Sequence, residues 1–192
     1  MKTLVLFGSA RRNGHTAQML NLFLEHLGGE YEIIDTYRVK NISPCMDCRY
    51  CWKVKGCAIQ DGMQEIYRKL EEADNLILAS PVYFHSVTGP MKVLIDRFQI
   101  YWAGLVRKDK PEGFIRKGAV LMTGGAPPFP DQFLGCEIVL KNLLRDLNTE
   151  CLGTVCFPNT DKDTLDGRED IRQEIISLAD KMRSSRDLGV HF

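Results

Sequence analysis

The feature that most restricts what this chain can fold into is the alternation of two periodicities along it. Short apolar runs at residues 3–7, 31–34, 76–79, 119–122 and 152–157 read as strands. Between them, apolar residues recur at helical spacing over 16–27, 63–70, 91–101, 133–147 and 171–182, as with Met19, Leu20, Phe23, Leu24 and Leu27 in the first of these. A strand followed by a covering helix, repeated, pairs in parallel through right-handed crossovers, because each helix must shield one face of the sheet. The expected fold class is therefore α/β, a three-layer sandwich around five strands. No internal repeat, low-complexity tract or linker divides the sequence, so residues 1–192 read as a single domain. A chain of that length buries a core without needing disulfides or a structural metal.

In sheets of this kind ligands sit outside the carboxyl ends of the strands, where the strand order reverses. That directs attention to the loops 8–16, 80–89 and 123–130. The first, Gly8-Ser9-Ala10-Arg11-Arg12-Asn13-Gly14-His15-Thr16, fails the Walker pattern: its glycines are one residue too far apart, and His15 stands where a lysine is needed. It fails the dinucleotide fingerprint as well. What it does offer is the hydroxyls of Ser9 and Thr16, the amide of Asn13 and the cation of Arg11, all at a helix start. Unpaired backbone N–H groups and the helix dipole there favour a phosphate, and a terminal monophosphate is the natural guest. The plainer alternative is an ordinary helix start capped by Asn13 or Thr16.

The second loop carries Pro81, Val82, Tyr83, Phe84, His85 and Ser86, with aromatic rings beyond a strand end that are poor surface residues unless they pack on something flat. The third contains Gly124 and Gly125, which permit close approach of backbone to a planar ligand. Together the loops define a phosphate end and a planar end. Tyr83 and His85 are placed to donate protons or hydrogen bonds near a ring, but no side chain is assigned a catalytic role.

Charge excludes one class of partner. The 25 basic residues balance 25 acidic ones, so no general field exists to hold nucleic acid. The local basic segment Arg107, Lys108, Lys110, Arg116 and Lys117 reads either as a solvated loop or as a docking site for an acidic partner or a nucleotide phosphate. The opening apolar run ends at Gly8, too short for a signal-peptide core, and no stretch reaches membrane-span length. The expected location is the cytoplasm, with no membrane association.

Cytoplasmic thiols stay reduced, and seven cysteines is an odd number, which argues against a disulfide framework. Four of the seven, Cys45, Cys48, Cys51 and Cys57, are separated by two, two and five residues in a polar loop. Close Cys-x-x-Cys steps let one chain turn wrap an iron–sulfur cubane, with a later thiolate closing the last iron. A structural zinc site also accepts four thiolates, but usually as two separated pairs, so the spacing favours iron. The remaining alternatives are a redox dithiol and reduced thiols without a metal. Cys136, Cys151 and Cys156 fall in apolar patterns and read as small hydrophobes.

With these residues in view, the first loop, the 80–89 loop followed by Met91-Lys92-Val93-Leu94-Ile95-Asp96-Arg97, and Thr123-Gly124-Gly125 resemble the flavodoxin-like NADPH-dependent FMN reductase family. The resemblance covers about the first two-thirds of the chain, and no motif matches beyond about Pro130. The cysteine spacing is similar to that of the family's iron–sulfur flavoprotein branch. The resemblance implies a parallel sheet of strand order 2-1-3-4-5. It implies FMN with its phosphate on Ser9, Arg11, Asn13 and Thr16, and its ring lined by Pro81, Val82, Tyr83, Phe84, Ser86, Gly124 and Gly125. A 4Fe-4S cluster would sit on Cys45, Cys48, Cys51 and Cys57. The implied activity is an NAD(P)H oxidoreductase drawing on reduced nicotinamide or a ferredoxin-like electron donor, with an unknown acceptor. A homodimer or homotetramer is implied, formed through a helix over Met91 to Leu105 and its Trp102. Two other functions stay open: a non-enzymatic electron carrier of the flavodoxin kind, and a metal-binding or redox-sensing cysteine module without flavin.

Overall fold

The computed structural model describes residues 2–187. Five strands, β1 (Lys2–Phe7), β2 (Glu30–Asp35), β3 (Asn75–Pro81), β4 (Arg116–Thr123) and β5 (Thr149–Phe157), form one sheet in the order β2-β1-β3-β4-β5. Every neighbouring pair is parallel. Both the α/β class and the strand order agree with expectation.

Alternation along the strands builds two cores. Leu4, Leu6, Leu76, Leu78, Val120 and Met122 face helices α2 (Met63–Glu71), α3 (Gly89–Arg97) and the later α6 (Leu134–Asp146). Val5, Phe7, Ile77, Ala79, Ala119 and Leu121 face α1 (His15–Leu27) and α7 (Glu169–Asp187). β1, β3 and β4 are thus buried on both faces, which is why they read as continuous apolar runs rather than alternating ones. Each large side chain so buried contributes about 1.5–3 kcal/mol.

The expected helix over 91–101 is interrupted. α3 stops at Arg97, and two short helices follow, α4 (Gln99–Trp102) and α5 (Gly104–Arg107). The Tyr67 hydroxyl donates to the Arg97 carbonyl at 2.7 Å, while the Tyr101 N–H, which a continuous helix would send there, bonds Phe98 O at 2.9 Å. A side chain from α2 has therefore taken the carbonyl out of the ladder and tightened the turn. β4 and β5 begin earlier than their apolar runs, at Arg116 and Thr149, because the polar ends still pair and Lys117 meets Glu150 across them.

Candidate functional site

The reversal of strand order lies between β1 and β3, and the loops leaving those two strands are bound to each other. Gly8 N–H donates to Ala79 O at 2.7 Å, and the buried Thr88 hydroxyl donates to Gly8 O at 2.8 Å. A side chain at Gly8 would meet the Met91 sulfur at 2.6 Å, so glycine lets α3 start against the first loop. Ser9 is buried, and its oxygen accepts from Arg11 N–H at 3.2 Å, folding the loop back on itself.

α1 then begins without a side-chain cap. Its N-cap is Gly14, in extended backbone at φ −82°, ψ 176°, and neither Asn13 nor Thr16 caps it. The first-turn N–H groups are therefore left for something other than a side chain. Asn13 and Arg11 are exposed at this end. Arg12 is committed to Asp35 at 3.2 Å, whereas Arg11 forms no ion pair among the described residues. The Thr16 hydroxyl is buried and lies 2.7 Å from that of Thr123, at the end of β4.

The loop after β3 is a tight turn. Val82 N–H bonds Thr123 O at 2.8 Å, and Tyr83 and Ser86 exchange backbone bonds of 2.9 and 3.1 Å. Phe84 and His85 between them have φ of +50° and +64°, the left-handed region that L side chains enter only at a cost. This geometry holds the Phe84 ring fully exposed and Tyr83 half exposed, while Pro81 and Val82 are partly covered.

The two glycines after β4 have a reason inside the chain itself. A Cβ at Gly124 would meet Gln132 Nε2 at 2.8 Å and the Phe133 ring at 3.2 Å. One at Gly125 would meet the Asp161 carboxylate at 2.8–2.9 Å. The loop after β5 completes this edge, since Thr160 N–H donates to Gly124 O at 3.0 Å and Asp161 N–H to Gly125 O at 3.2 Å. Sequence reasoning missed Gln132, Asn159 and Asp161, because no motif marks them. Buried atoms without partners collect at the same edge: His15 Nδ1, Gln132 Oε1 and Asn159 Oδ1. An uncapped helix start beside an uncommitted arginine, with unpaired polar atoms around it, fits a polar, phosphate-bearing ligand such as FMN.

The cysteine loop leaves β2 at this edge, but its thiols gather elsewhere. Cys45, Cys48, Cys51 and Cys57 line one hollow together with Trp52 and Arg97. Cys57 lies on Arg97 at the far end of α3, about 13 Å down a nine-residue helix from the loops at the carboxyl edge. Burial and the neighbouring Cys45 push the Cys51 thiol up, with Cys48 and Cys57 adding to the effect. Among the described residues no three His, Cys, Asp or Glu side chains meet closely enough for a single metal ion. Four cysteines lining one hollow supply, by their chemistry, the thiolate donor set that an iron–sulfur group or a zinc ion takes.

Other elements lock this loop. Trp52 stacks obliquely on Trp102 at 5.9 Å, and Arg49 lies 4.9 Å over the Trp52 ring. Arg107 donates to Cys51 O, and Arg97 pairs with Asp61 at 2.7 Å. Burial alone would push the Asp61 carboxyl up, but bonds from Arg97 and from the N–H groups of Ser43 and Met63 outweigh it and hold it below the usual range. The basic segment is mostly spent on the chain itself. Arg107 pairs with Asp109, Lys110 with Asp146 and Lys117 with Glu150, while Arg116 is buried and donates to the carbonyls of Ala73 and Leu147. Cys136 is fully buried, and Cys151 and Cys156 are half buried.

Among the described residues no helix is long and apolar enough to cross a membrane. The sequence profile of NADPH-dependent FMN reductases matches residues 1–129. An iron–sulfur flavoprotein of Methanocaldococcus jannaschii is 37% identical over 123 residues, covering 62% of this chain and 63% of that one. The match thus spans just under two thirds of that relative's length. A second iron–sulfur flavoprotein of the same organism is 35% identical over 146 residues, covering 74% of this chain and 69% of that one. Among solved structures, an NAD(P)H:quinone oxidoreductase from Methanothermobacter marburgensis superposes with a TM-score of 0.66 at 16% identity, covering 93% of this chain and 97% of that one. At that identity the superposition shows the shared flavodoxin-like fold. A match over two thirds of the sequence, on the loops that meet at the β1/β3 reversal, decides the family: the chain belongs to the NADPH-dependent FMN reductases.

Proposed function

We propose that this protein is an FMN-dependent NAD(P)H oxidoreductase whose cysteine loop carries a 4Fe-4S cluster. The observation that carries the reading is the uncapped start of α1, with exposed Arg11, beside the Tyr83–Ser86 turn at the strand-order reversal. Arg11, Asn13 and the first-turn N–H groups would hold the FMN phosphate. Ser9 shapes that loop through its bond to Arg11 N–H, and Thr16, bonded to Thr123, fixes the helix start against β4. Pro81, Val82, Tyr83, Phe84 and Ser86 would flank the ring on one side, with the Gly124-Gly125 backbone on the other. When bound, FMN supplies the chemistry, accepting two electrons as hydride and releasing them singly. The chain's own groups bind and orient it, and no side chain is required as an essential acid or base.

The four thiols around one hollow favour a second reading, an electron carrier that passes single electrons between flavin and cluster without a dedicated substrate. The position of Cys57 at the far end of α3 supports transfer across a homodimer or homotetramer, in which a neighbouring subunit also covers Phe84. Reduced nicotinamide or a ferredoxin-like protein would be the donor.

Protein purified without oxygen should show flavin bands together with a broad iron–sulfur shoulder. Steady oxidation of NADPH or NADH by the FMN-loaded protein distinguishes the enzyme from the carrier. A colourless preparation that neither retains nor takes up FMN would defeat both readings.

A further inference from the structure

We propose that Arg97 closes the cysteine loop from within and, through a hydrogen bond to the Cys57 sulfur, sets the reduction potential of the group held by the four thiolates. The inference rests on the cluster reading above and adds a named residue to it. Arg97 is the last residue of α3 and is 1% exposed. A guanidinium keeps its charge under all ordinary conditions, so burying one demands partners. Its partners come from both ends of the cysteine loop. Nη1 donates to Ser43 O at 2.7 Å and to Asp61 Oδ2 at 2.7 Å. Nη2 donates to Asp61 Oδ1 at 3.1 Å, Ile59 O at 3.3 Å and Cys57 Sγ at 3.6 Å. Asp61 in turn accepts from the N–H groups of Ser43 and Met63, at 2.9 and 3.0 Å.

Ser43 precedes the first cysteine by two residues and Cys57 is the last, so one side chain ties the two ends of the motif together. A planar fork can do this where a lysine, a single point of charge on a flexible stem, cannot. The carboxylate and the two carbonyls would suffice for a purely mechanical clamp. The additional contact to sulfur bears on electrons, because hydrogen bonds to the sulfurs and net local charge are what set iron–sulfur potentials. Taking up one electron adds one negative charge beside those sulfurs. A cationic donor stabilises the reduced form more than the oxidised form and raises the potential; the Asp61 carboxylate acts in the opposite sense. Neighbours of opposite sign therefore predict opposite shifts, which damage to the loop alone would not produce.

The test is an anaerobic redox titration, with flavin and cluster followed in the same sample, of FMN-loaded protein reconstituted with iron and sulfide. Arg97→Gln should weaken cluster reduction about tenfold, a downward shift of about 59 mV for a one-electron couple. Asp61→Asn should shift it upward, and the flavin potential should stay in place in both. Because losing a buried guanidinium also threatens the fold, Arg97→Lys is measured alongside, with thermal unfolding and FMN content as controls. It keeps the charge and should show a smaller downward shift. Unchanged cluster potentials in all three variants, or shifts in the same direction for Arg97→Gln and Asp61→Asn, overturn the inference and leave the cluster reading standing. Wild-type protein that takes up no iron overturns both.

Discussion

The hydroxyl oxygens of Thr16 and Thr123 lie 2.7 Å apart, both residues buried, and join the first turn of α1 to the last residue of β4. This bond spans 107 positions of sequence and fixes the helix start relative to the third loop. Removing one hydroxyl leaves the other buried without a partner, which costs about 1–3 kcal/mol, whereas removing both is close to neutral. Thr16→Val and Thr123→Val should each lower stability in urea denaturation, and the double variant should recover most of the loss. Additive losses would show that the two hydroxyls act independently.

Arg11 is exposed at the same helix start, and no ion pair among the described residues occupies it. A charge-assisted bond to phosphate would be its main role. Arg11→Ala should therefore leave the thermal transition unchanged while weakening FMN binding on the order of ten- to a hundredfold. A flavin fluorescence titration at fixed ionic strength reads this directly. Equal affinity in wild type and variant places the phosphate elsewhere.

Gly135 lies in the first turn of α6, and a Cβ there would strike the His85 carbonyl oxygen. That oxygen belongs to the left-handed turn that presents Tyr83 and Phe84. Gly135→Ala should displace the turn and reduce flavin affinity without touching a proposed contact residue, at a stability cost of about 1–3 kcal/mol for overpacking. If flavin binding is retained in full, that turn does not flank the ring. Gly124→Val is a poorer probe of the ring than its loop position suggests, because its side chain would first strike Gln132 and Phe133.

The fold was legible because the central strands β1, β3 and β4 are buried on both faces and so announce themselves as unbroken apolar runs. Crossover handedness and helix cover then leave few topologies. Features decided by contacts distant in sequence were not legible. The break in the expected 91–101 helix depends on Tyr67, thirty positions before the carbonyl it takes. Gly124 and Gly125 read as room for a ligand, when Gln132 and Asp161 already fill their free sides. The cysteine spacing pointed to a metal group, but not to the end of α3 where Arg97 gathers the loop.

The seven thiols should divide sharply by reactivity and by their effect on alkaline stability. Burial, followed by nearby thiol and carboxylate charges, pushes Cys136 up to about 12; burial, followed by Glu137 and Glu174, pushes Cys156 up to about 12. An unfolded thiol ionises near 9, so below that pH both states hold the proton and these residues add no pH dependence. Between about 9 and 12 the unfolded chain releases protons that the folded chain retains, and stability falls as pH rises. Urea midpoints measured from pH 8 to 11 on reduced, iron-free protein should decline above 9. Cys156→Val, which keeps a small apolar side chain on β5, should flatten part of that slope. Thiol labelling of the same folded protein at pH 8 should modify Cys45 and Cys48 first, as the exposed pair, reach half-buried Cys156 more slowly, and spare Cys136 until the chain unfolds. Rapid labelling of Cys136 in folded protein would show that α6 opens, and the alkaline slope would then have another source.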